Sequence, residues 1–205
     1  GLGDVYKRQV HNQPLTNIVF MGMGEPLLNY KNVLRSIHFI TSEEGLNMSY
    51  KRITLSTSGI SKMIRKLADD NVKVNLALSL HAANEELRKK IMPIGKSNTL
   101  EEIRDSLKYY FSKTKKKVTY EYVLLRDVND SIEDAYQLYK YTKHLSSKVN
   151  IIEYNAVEGL EFKKSSFEKT EKFIGYLLKK GVNVSLRRSR GKDINAACGQ
   201  LANKN

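Results

Sequence analysis

Short apolar runs recur along the chain, and each is bounded by glycine or by polar residues that favour turns. Their length of about five residues and their β-branched content predict strands rather than helices. The predicted strands cover residues 17–21, 52–56, 74–80, 118–125 and 149–153, with 182–186 as a sixth.

Between these runs, apolar residues recur at the three- and four-residue spacing of amphipathic helices. The clearest stripes are Val33, Leu34, Ile37 and Ile40; Ile60, Met63, Ile64 and Leu67; Leu100, Ile103, Leu107 and Tyr110; Ala135, Leu138 and Tyr139; and Phe173, Ile174 and Leu177. Thr99 and Glu102 have the spacing of a capping box, and Gly181 occupies the position that ends the last helix. Because each crossover helix returns the chain to the same end of the sheet, this alternation predicts an α/β fold with parallel strands. Five or six such strands predict an open or partial (β/α) barrel.

The length of 205 residues, of which 40% are hydrophobic, predicts a single globular domain. Residues 1–9 have no clear pattern and fit no motif, so we expect them to be a non-native leader and the domain to cover residues 10–205. The chain has no apolar run of roughly 18 residues and no signal-peptide pattern at its start, which predicts a cytoplasmic protein with no membrane partner.

Basic residues outnumber acidic ones, 35 to 22, which gives a net charge of +13. Such an excess attracts polyanions, so nucleic acid is the first partner to consider, although an excess of lysine also serves solubility alone. The basic residues cluster at Lys113, Lys115, Lys116, Lys117, Lys163, Lys164, Lys179, Lys180, Arg187, Arg188 and Arg190. Since arginine binds phosphate in a forked geometry, Arg187, Arg188 and Arg190 are the predicted RNA-binding residues.

Polar residues and glycines follow the predicted strands at the point where each strand ends. They are Gly22, Gly24, Glu25 and Pro26; Ser56, Thr57, Ser58 and Gly59; Ser79, Leu80 and His81; Asp127 and Asn129; and Asn155. Parallel α/β folds place their active sites at this edge, because the loops converge there. One edge of the sheet therefore collects a carboxylate, hydroxyls, an imidazole and amides.

Each of these groups also has a structural explanation. The alternatives are a tight turn at Gly22 and Gly24, a helix cap at Ser58 and Gly59, a satisfied histidine at His81, and turn formers at Asp127 and Asn129. Only the combination of groups favours a functional site.

Cys198 is the one cysteine of the chain, and it lies in the segment 191–200 among small residues. Alone it makes neither an internal disulfide nor a cysteine-ligated metal site. Small neighbours and upstream arginines would leave an accessible thiolate, which is a nucleophile. The alternative is a buried structural cysteine.

Four segments together resemble the RlmN/Cfr family, whose members are radical S-adenosylmethionine enzymes that methylate an adenine of 23S ribosomal RNA. The segments are 21–29 (MGMGEPLLN), 54–59 (TLSTSG), 78–82 (LSLHA) and 196–201 (AACGQL). The resemblance spans residues 15–202. It implies a partial (β/α) barrel in which Gly24 and Glu25 meet the amino group of S-adenosylmethionine, and in which Ser56, Ser79, Leu80, His81 and Asn155 complete the cofactor pocket.

The resemblance also implies that Cys198 is the catalytic, methyl-carrying cysteine. Its thiolate would take a methyl group from one cofactor molecule, and a 5′-deoxyadenosyl radical formed from a second would abstract hydrogen from that methyl before the carbon adds to the adenine ring. We expect C2 of adenine as the target, with C8 as the alternative within the family. The implied partners are 23S ribosomal RNA, a transfer RNA adenine as a second substrate of the RlmN side, and an electron donor such as flavodoxin.

The family holds a 4Fe-4S cluster on a Cys-x3-Cys-x2-Cys loop after the first barrel strand, and this chain has one cysteine. We therefore expect a fragment of a longer protein, without the first strand, the acid–base glutamate, the resolving cysteine and the N-terminal domain. Such a fragment would have no radical activity of its own.

Two rival hypotheses remain. A (β/α)-barrel lyase or isomerase would act on a small anionic metabolite with His81 as its base, which explains the polar edge but neither the charge nor the surroundings of Cys198. A non-catalytic RNA-binding module would require that the sequence preceding Gly1 also lacks the three-cysteine loop.

Overall fold

Six parallel strands form one sheet in a computed structural model that describes residues 15–22, 24–157 and 159–187. The strands are β1 (Ile18–Phe20), β2 (Ile53–Thr57), β3 (Asn75–Ser79), β4 (Val118–Leu124), β5 (Ser147–Glu153) and β6 (Val184–Arg187). They are hydrogen-bonded in the order β1-β2-β3-β4-β5-β6, so each strand pairs with its neighbours along the chain. This sequential order is that of a (β/α) barrel and not of a doubly wound sheet. The predicted α/β fold with parallel strands is confirmed.

Helices connect the strands, as the apolar stripes predict. They are α1 (Tyr30–Thr41), α2 (Ser61–Asp69), α3 (Glu85–Ile91), α4 (Leu100–Thr114), α5 (Ile132–Thr142) and α6 (Phe167–Lys179). The predicted capping box is present, because Thr99 Oγ1 accepts from the Glu102 N–H and the Glu102 carboxylate accepts from the Thr99 N–H. Gly181 follows α6 with a φ of +74°, as predicted for the end of that helix. Within the described ranges, no helix is long and apolar enough to cross a membrane.

One face of the sheet is apolar and packs against the helices. The buried strand residues of this face are Ile53, Leu55, Leu76, Leu78, Val118, Tyr120, Tyr122, Leu124, Val149 and Ile151. They share a core with buried residues of five helices, among them Ile37, Ile64, Ile103, Leu138 and Phe173. Because side chains alternate along a strand, this packing leaves the intervening residues on the opposite face.

The opposite face carries a row of polar side chains that crosses four strands. The register pairs Ser79 with Glu121, Glu121 with Asn150, and Asn150 with Ser185. Asn150 Nδ2 donates to Glu121 Oε1 at 2.8 Å, and Ser185 Oγ donates to Asn150 Oδ1 at 2.8 Å. We call these four residues the polar row. An open sheet with helices on one face and polar residues on the other is what a partial barrel requires, since ligands bind on the inner side.

Candidate cofactor and active site

The carboxylate of Glu25 joins the loops that follow β1 and β2. Its Oε1 accepts from the Leu27 N–H at 3.0 Å, and its Oε2 accepts from both the N–H and the hydroxyl of Ser58 at 2.6 Å. The alternative of a helix cap at Ser58 is wrong. The N-cap of α2 is Ile60, which makes no side-chain capping bond. Ser58 lies three residues before Ser61, the first residue of the helix, which is too early in the chain for an N-cap, and its hydroxyl donates to Glu25 instead.

Two glycines fix these loops. Gly24 has a φ of +89°, a conformation that most side chains avoid, and it places Glu25 at the start of the turn Pro26–Asn29. Gly59 has a φ of +99°, and a Cβ there would lie 2.8 Å from Ile103 Cδ1. The chain after Ser58 is thus pressed against α4, and its backbone has little room to move.

His81 follows β3 and is only partly exposed, with a left-handed φ of +56°. Its Nδ1 accepts from the Val123 N–H at 3.2 Å, which places the proton of the neutral ring on Nε2. Burial, with a contribution from the positive charge of Arg88, lowers the pKa of His81 to about 4. The imidazole is therefore a neutral hydrogen-bond donor through Nε2 and a poor general base at neutral pH.

Asn129 does more than form a turn. This fully buried amide donates to the carbonyl oxygens of His81 and Val123 at 2.7 and 2.8 Å and accepts from the Leu125 N–H at 2.7 Å. It therefore fixes the loop after β3 to the end of β4. Asp127 matches its prediction as a turn former, since its φ is +57° and its carboxylate pairs with Lys169.

The remaining predicted cofactor residues lie at or near the same edge. Ser56 and Ser79 are partly exposed on the polar face of the sheet, and Asn155 is buried two residues after β5. Leu80 differs from the others, because its side chain is wholly buried in the apolar core. Its N–H donates to the carbonyl oxygen of Glu121 and its carbonyl oxygen accepts from the Ala82 N–H, so only the second lone pair of that carbonyl is left for a ligand.

Sequence reasoning missed Glu121, a carboxylate that is 5% exposed in the middle of the polar row. Arg187 Nη1 lies 3.6 Å from Glu121 Oε2, so the one predicted RNA-binding arginine that the structure describes is on the same face of the sheet. Burial raises the pKa of Glu121, and the hydrogen bond from Asn150 and the charge of Arg187 oppose that rise. A glutamate inside the apolar run 118–125 was the available signal.

Cys198, Arg188 and Arg190 lie outside the described residues. Within the residues that are described, no group of three or more His, Cys, Asp or Glu side chains could hold a metal ion. A cluster bound by three thiolates cannot take its ligands from a chain with one cysteine, so the residues present do not fit that group.

The residues do fit S-adenosylmethionine. Among the described residues, three donors occupy the Glu25 carboxylate, which has about four acceptor positions, so these contacts leave one for an ammonium group. The hydroxyls of Ser56 and Ser79 and the Nε2–H of His81 are of the kind that ribose and adenine edges require.

Comparison with known proteins agrees with this fit to S-adenosylmethionine. Residues 4–139 match the radical SAM superfamily, and the chain belongs to that superfamily. Its members use S-adenosylmethionine together with a 4Fe-4S cluster.

Individual relatives agree with the resemblance to the RlmN/Cfr family, which is thereby confirmed. The chain is 58% identical over 193 residues to a probable dual-specificity RNA methyltransferase RlmN of Flavobacterium psychrophilum, covering 94% of this chain and 56% of that protein. A radical SAM methyltransferase from Sphaerobacter thermophilus superposes with a TM-score of 0.93 at 39% identity, over 97% of this chain and 58% of the other. Streptococcus suis SuiB bound to S-adenosylmethionine shares the fold, with a TM-score of 0.60 at 16% identity, over 92% of this chain and 43% of SuiB. The chain thus spans little more than half the length of its curated relative.

Proposed function

We propose that this chain is the barrel part of an RNA methyltransferase that methylates C2 of adenine in 23S ribosomal RNA through a methylcysteine formed on Cys198. The observation that carries the proposal is the Glu25 cluster at the carboxyl edge, where a carboxylate to which the described residues leave one acceptor position lies at the same edge as hydroxyls and a neutral imidazole. A transfer RNA adenine is the proposed second substrate, in line with the dual specificity in the relative's name. A cytoplasmic location and an electron donor such as flavodoxin belong to the same proposal.

S-adenosylmethionine, when bound, supplies the methyl group. Glu25 would accept a hydrogen bond from its amino group and so orient the cofactor. Ser56, Ser79 and Asn155 would bind its polar groups, and His81 would donate through Nε2. All of these residues lie at or near one edge of a parallel sheet, where loops from neighbouring strands converge.

Cys198 would act as a nucleophile in the first step. Its thiolate would accept the methyl group that S-adenosylmethionine supplies when bound, so that an S–C bond would form on Cys198 as the sulfonium C–S bond breaks and a neutral thioether leaves. The thiol proton goes to solvent when the thiolate forms. Cationic surroundings favour that thiolate, and the neighbouring sequence contains Arg187, Arg188 and Arg190.

A lyase or isomerase reaction is the weaker candidate. It requires His81 as a base, whereas Nδ1 is occupied by the Val123 N–H and the pKa of the ring is about 4. Methylation at C8 of adenine uses the same residues and is distinguished only by its product.

The test is product analysis with the complete protein. Reconstituted enzyme is incubated with S-adenosylmethionine, a reductant and either 23S ribosomal RNA or transfer RNA, and the digested nucleosides are separated by chromatography and mass spectrometry. We expect 2-methyladenosine from both RNAs. Formation of 8-methyladenosine would replace the C2 assignment, and no methylated adenosine in either RNA would overturn the proposed function.

Arg187 is expected to contact RNA phosphate, because its side chain is 54% exposed beside the polar row. Arg187→Ala should weaken RNA binding and lower the slope of log affinity against log salt by about one. Arg52→Ala is the matched control, since Arg52 is exposed at the amino end of β2 on the opposite edge of the sheet. Affinity measured across a salt series checks this. An unaltered slope would make Arg187 only the ion-pair partner of Glu121.

A further inference from the structure

Arg88 is a buried arginine directly behind the Glu25 cluster. It is the fourth residue of α3, its exposed fraction is 1%, and its Nη2 donates to the carbonyl oxygen of Ser58 at 2.5 Å. Its Nε and Nη1 are buried, and neither has a hydrogen-bond partner among the described residues. A guanidinium with two unpaired donor nitrogens is costly to bury, so we ask what its position here provides.

Ser58 connects Arg88 to Glu25. The serine uses its carbonyl oxygen to accept from Arg88, and it uses its N–H and hydroxyl to donate to Glu25 Oε2. The three residues come from α3, from the loop after β2 and from the loop after β1. Because Gly59 is pressed against Ile103 and Arg88 binds the Ser58 carbonyl, both α4 and α3 restrict the backbone at Ser58.

The charge of Arg88 also reaches the other side of the site. Its guanidinium is near enough to His81 to contribute to the low pKa of that imidazole. Arg88 therefore lies near both Glu25 and His81, which we expect to face the cofactor. Because its own nitrogens are buried, Arg88 would act on the cofactor through these neighbours and not by direct contact.

We propose that Arg88 is a positioning residue for the amino group of S-adenosylmethionine, acting through Ser58 to orient the Glu25 carboxylate. This inference rests on the proposed function, in which Glu25 binds that amino group. Arg88 fixes the position of the Ser58 carbonyl, and Ser58 in turn holds Oε2 of Glu25. The carboxylate therefore keeps one orientation, in which its remaining acceptor position faces the amino group of the cofactor.

The experiment compares a ligand that has the amino-acid portion with one that lacks it. The complete, reconstituted protein with Arg88→Gln is titrated by calorimetry with S-adenosylmethionine and with 5′-methylthioadenosine, which keeps the nucleoside and a neutral sulfur but lacks the aminobutyrate group and the sulfonium charge. We expect affinity for S-adenosylmethionine to fall about tenfold and that for 5′-methylthioadenosine to change by less than about twofold. Arg88→Lys, which keeps the charge and one donor nitrogen, should recover part of the loss.

Controls separate positioning from folding. Arg104→Gln removes a partly buried guanidinium of α4 that pairs with Glu101, and it should leave both affinities unchanged. Ser58→Ala removes one bond to Glu25 without touching α3, and it should reproduce the selective loss. Melting temperatures of all variants show whether each protein is folded.

Glu25→Gln completes the set. If Glu25→Gln weakens binding of S-adenosylmethionine, and the double variant Arg88→Gln/Glu25→Gln binds it no more weakly than Glu25→Gln alone, the two residues act as one unit. Two results would overturn the inference and make Arg88 a structural residue. In the first, Glu25→Gln weakens binding of S-adenosylmethionine but Arg88→Gln and Ser58→Ala do not. In the second, Arg88→Gln weakens binding of both ligands equally. If Glu25→Gln itself has no effect, the amino-group assignment fails first.

Discussion

Replacing Cys198 with alanine is expected to abolish methyl transfer to RNA and to leave cofactor binding intact. Without the sulfur, no group remains on which the methyl can be held between the cofactor and the base. The loss should be on the order of 10⁴-fold or more, which is the scale on which removal of a covalent nucleophile acts. Binding should survive because the Glu25 cluster contains none of the atoms that the substitution removes.

Two measurements check this expectation in the complete protein. Mass spectrometry of the wild-type peptide containing Cys198 should show a gain of one methylene mass after incubation with S-adenosylmethionine, and the variant should show none. Methylated RNA should be absent from the variant reaction at every time point. Methyl transfer at a normal rate by Cys198→Ala would remove this residue from the mechanism.

Glu25→Gln is expected to reduce affinity for S-adenosylmethionine by about 10- to 100-fold, since a hydrogen bond to a charged group contributes about 1.5–3 kcal/mol. The substitution keeps the size and one oxygen, but it removes the negative charge opposite the ammonium. It also replaces an acceptor with an NH₂ group that would face the Ser58 N–H or the Leu27 N–H. Both effects act against binding.

Calorimetry with the reconstituted protein provides the measurement. Glu44→Gln, which removes an exposed carboxylate after α1, is the control for net charge and should bind normally. A Glu25→Gln protein that is folded and binds with wild-type affinity would show that the cofactor amino group is held elsewhere.

The parts of the fold that depend on neighbours along the chain could be predicted from the sequence. The capping box at Thr99 and Glu102 joins residues three apart, and β4 lies within the mainly apolar segment 118–125. The start of β5 was missed, because Ser147 and Lys148 are polar residues that pair with Val118 and Thr119 across the sheet. Where pairing with a neighbouring strand decides where a strand begins, the strand's own sequence does not show it.

The candidate site could be located but its internal contacts could not be predicted. The topology alone brings the strand ends together, so the sequence was sufficient to place these residues at the carboxyl edge of the sheet, while their role in cofactor binding stays a prediction. The contact of Ser58 with Glu25 could not be distinguished from the alternative of a helix cap, because Glu25 is 33 residues away in the sequence. Arg88 was missed because Arg88, Lys89 and Lys90 form a basic run that is typical of a solvated helix face, and only the packed helix shows that one of them is buried. The role of Cys198 stays a prediction.

The hydrogen bonds among the loops after β1, β2, β3 and β4 have a thermodynamic consequence. Glu25 to Ser58, Ser58 to Arg88 and His81 to Asn129 each connect different strand–helix units, so no single unit holds the ligand groups in place alone. A ligand that selects this arrangement would shift the folding equilibrium of all four units at once. Bound ligand should therefore raise the midpoint temperature of thermal unfolding, in one cooperative transition that includes all four units.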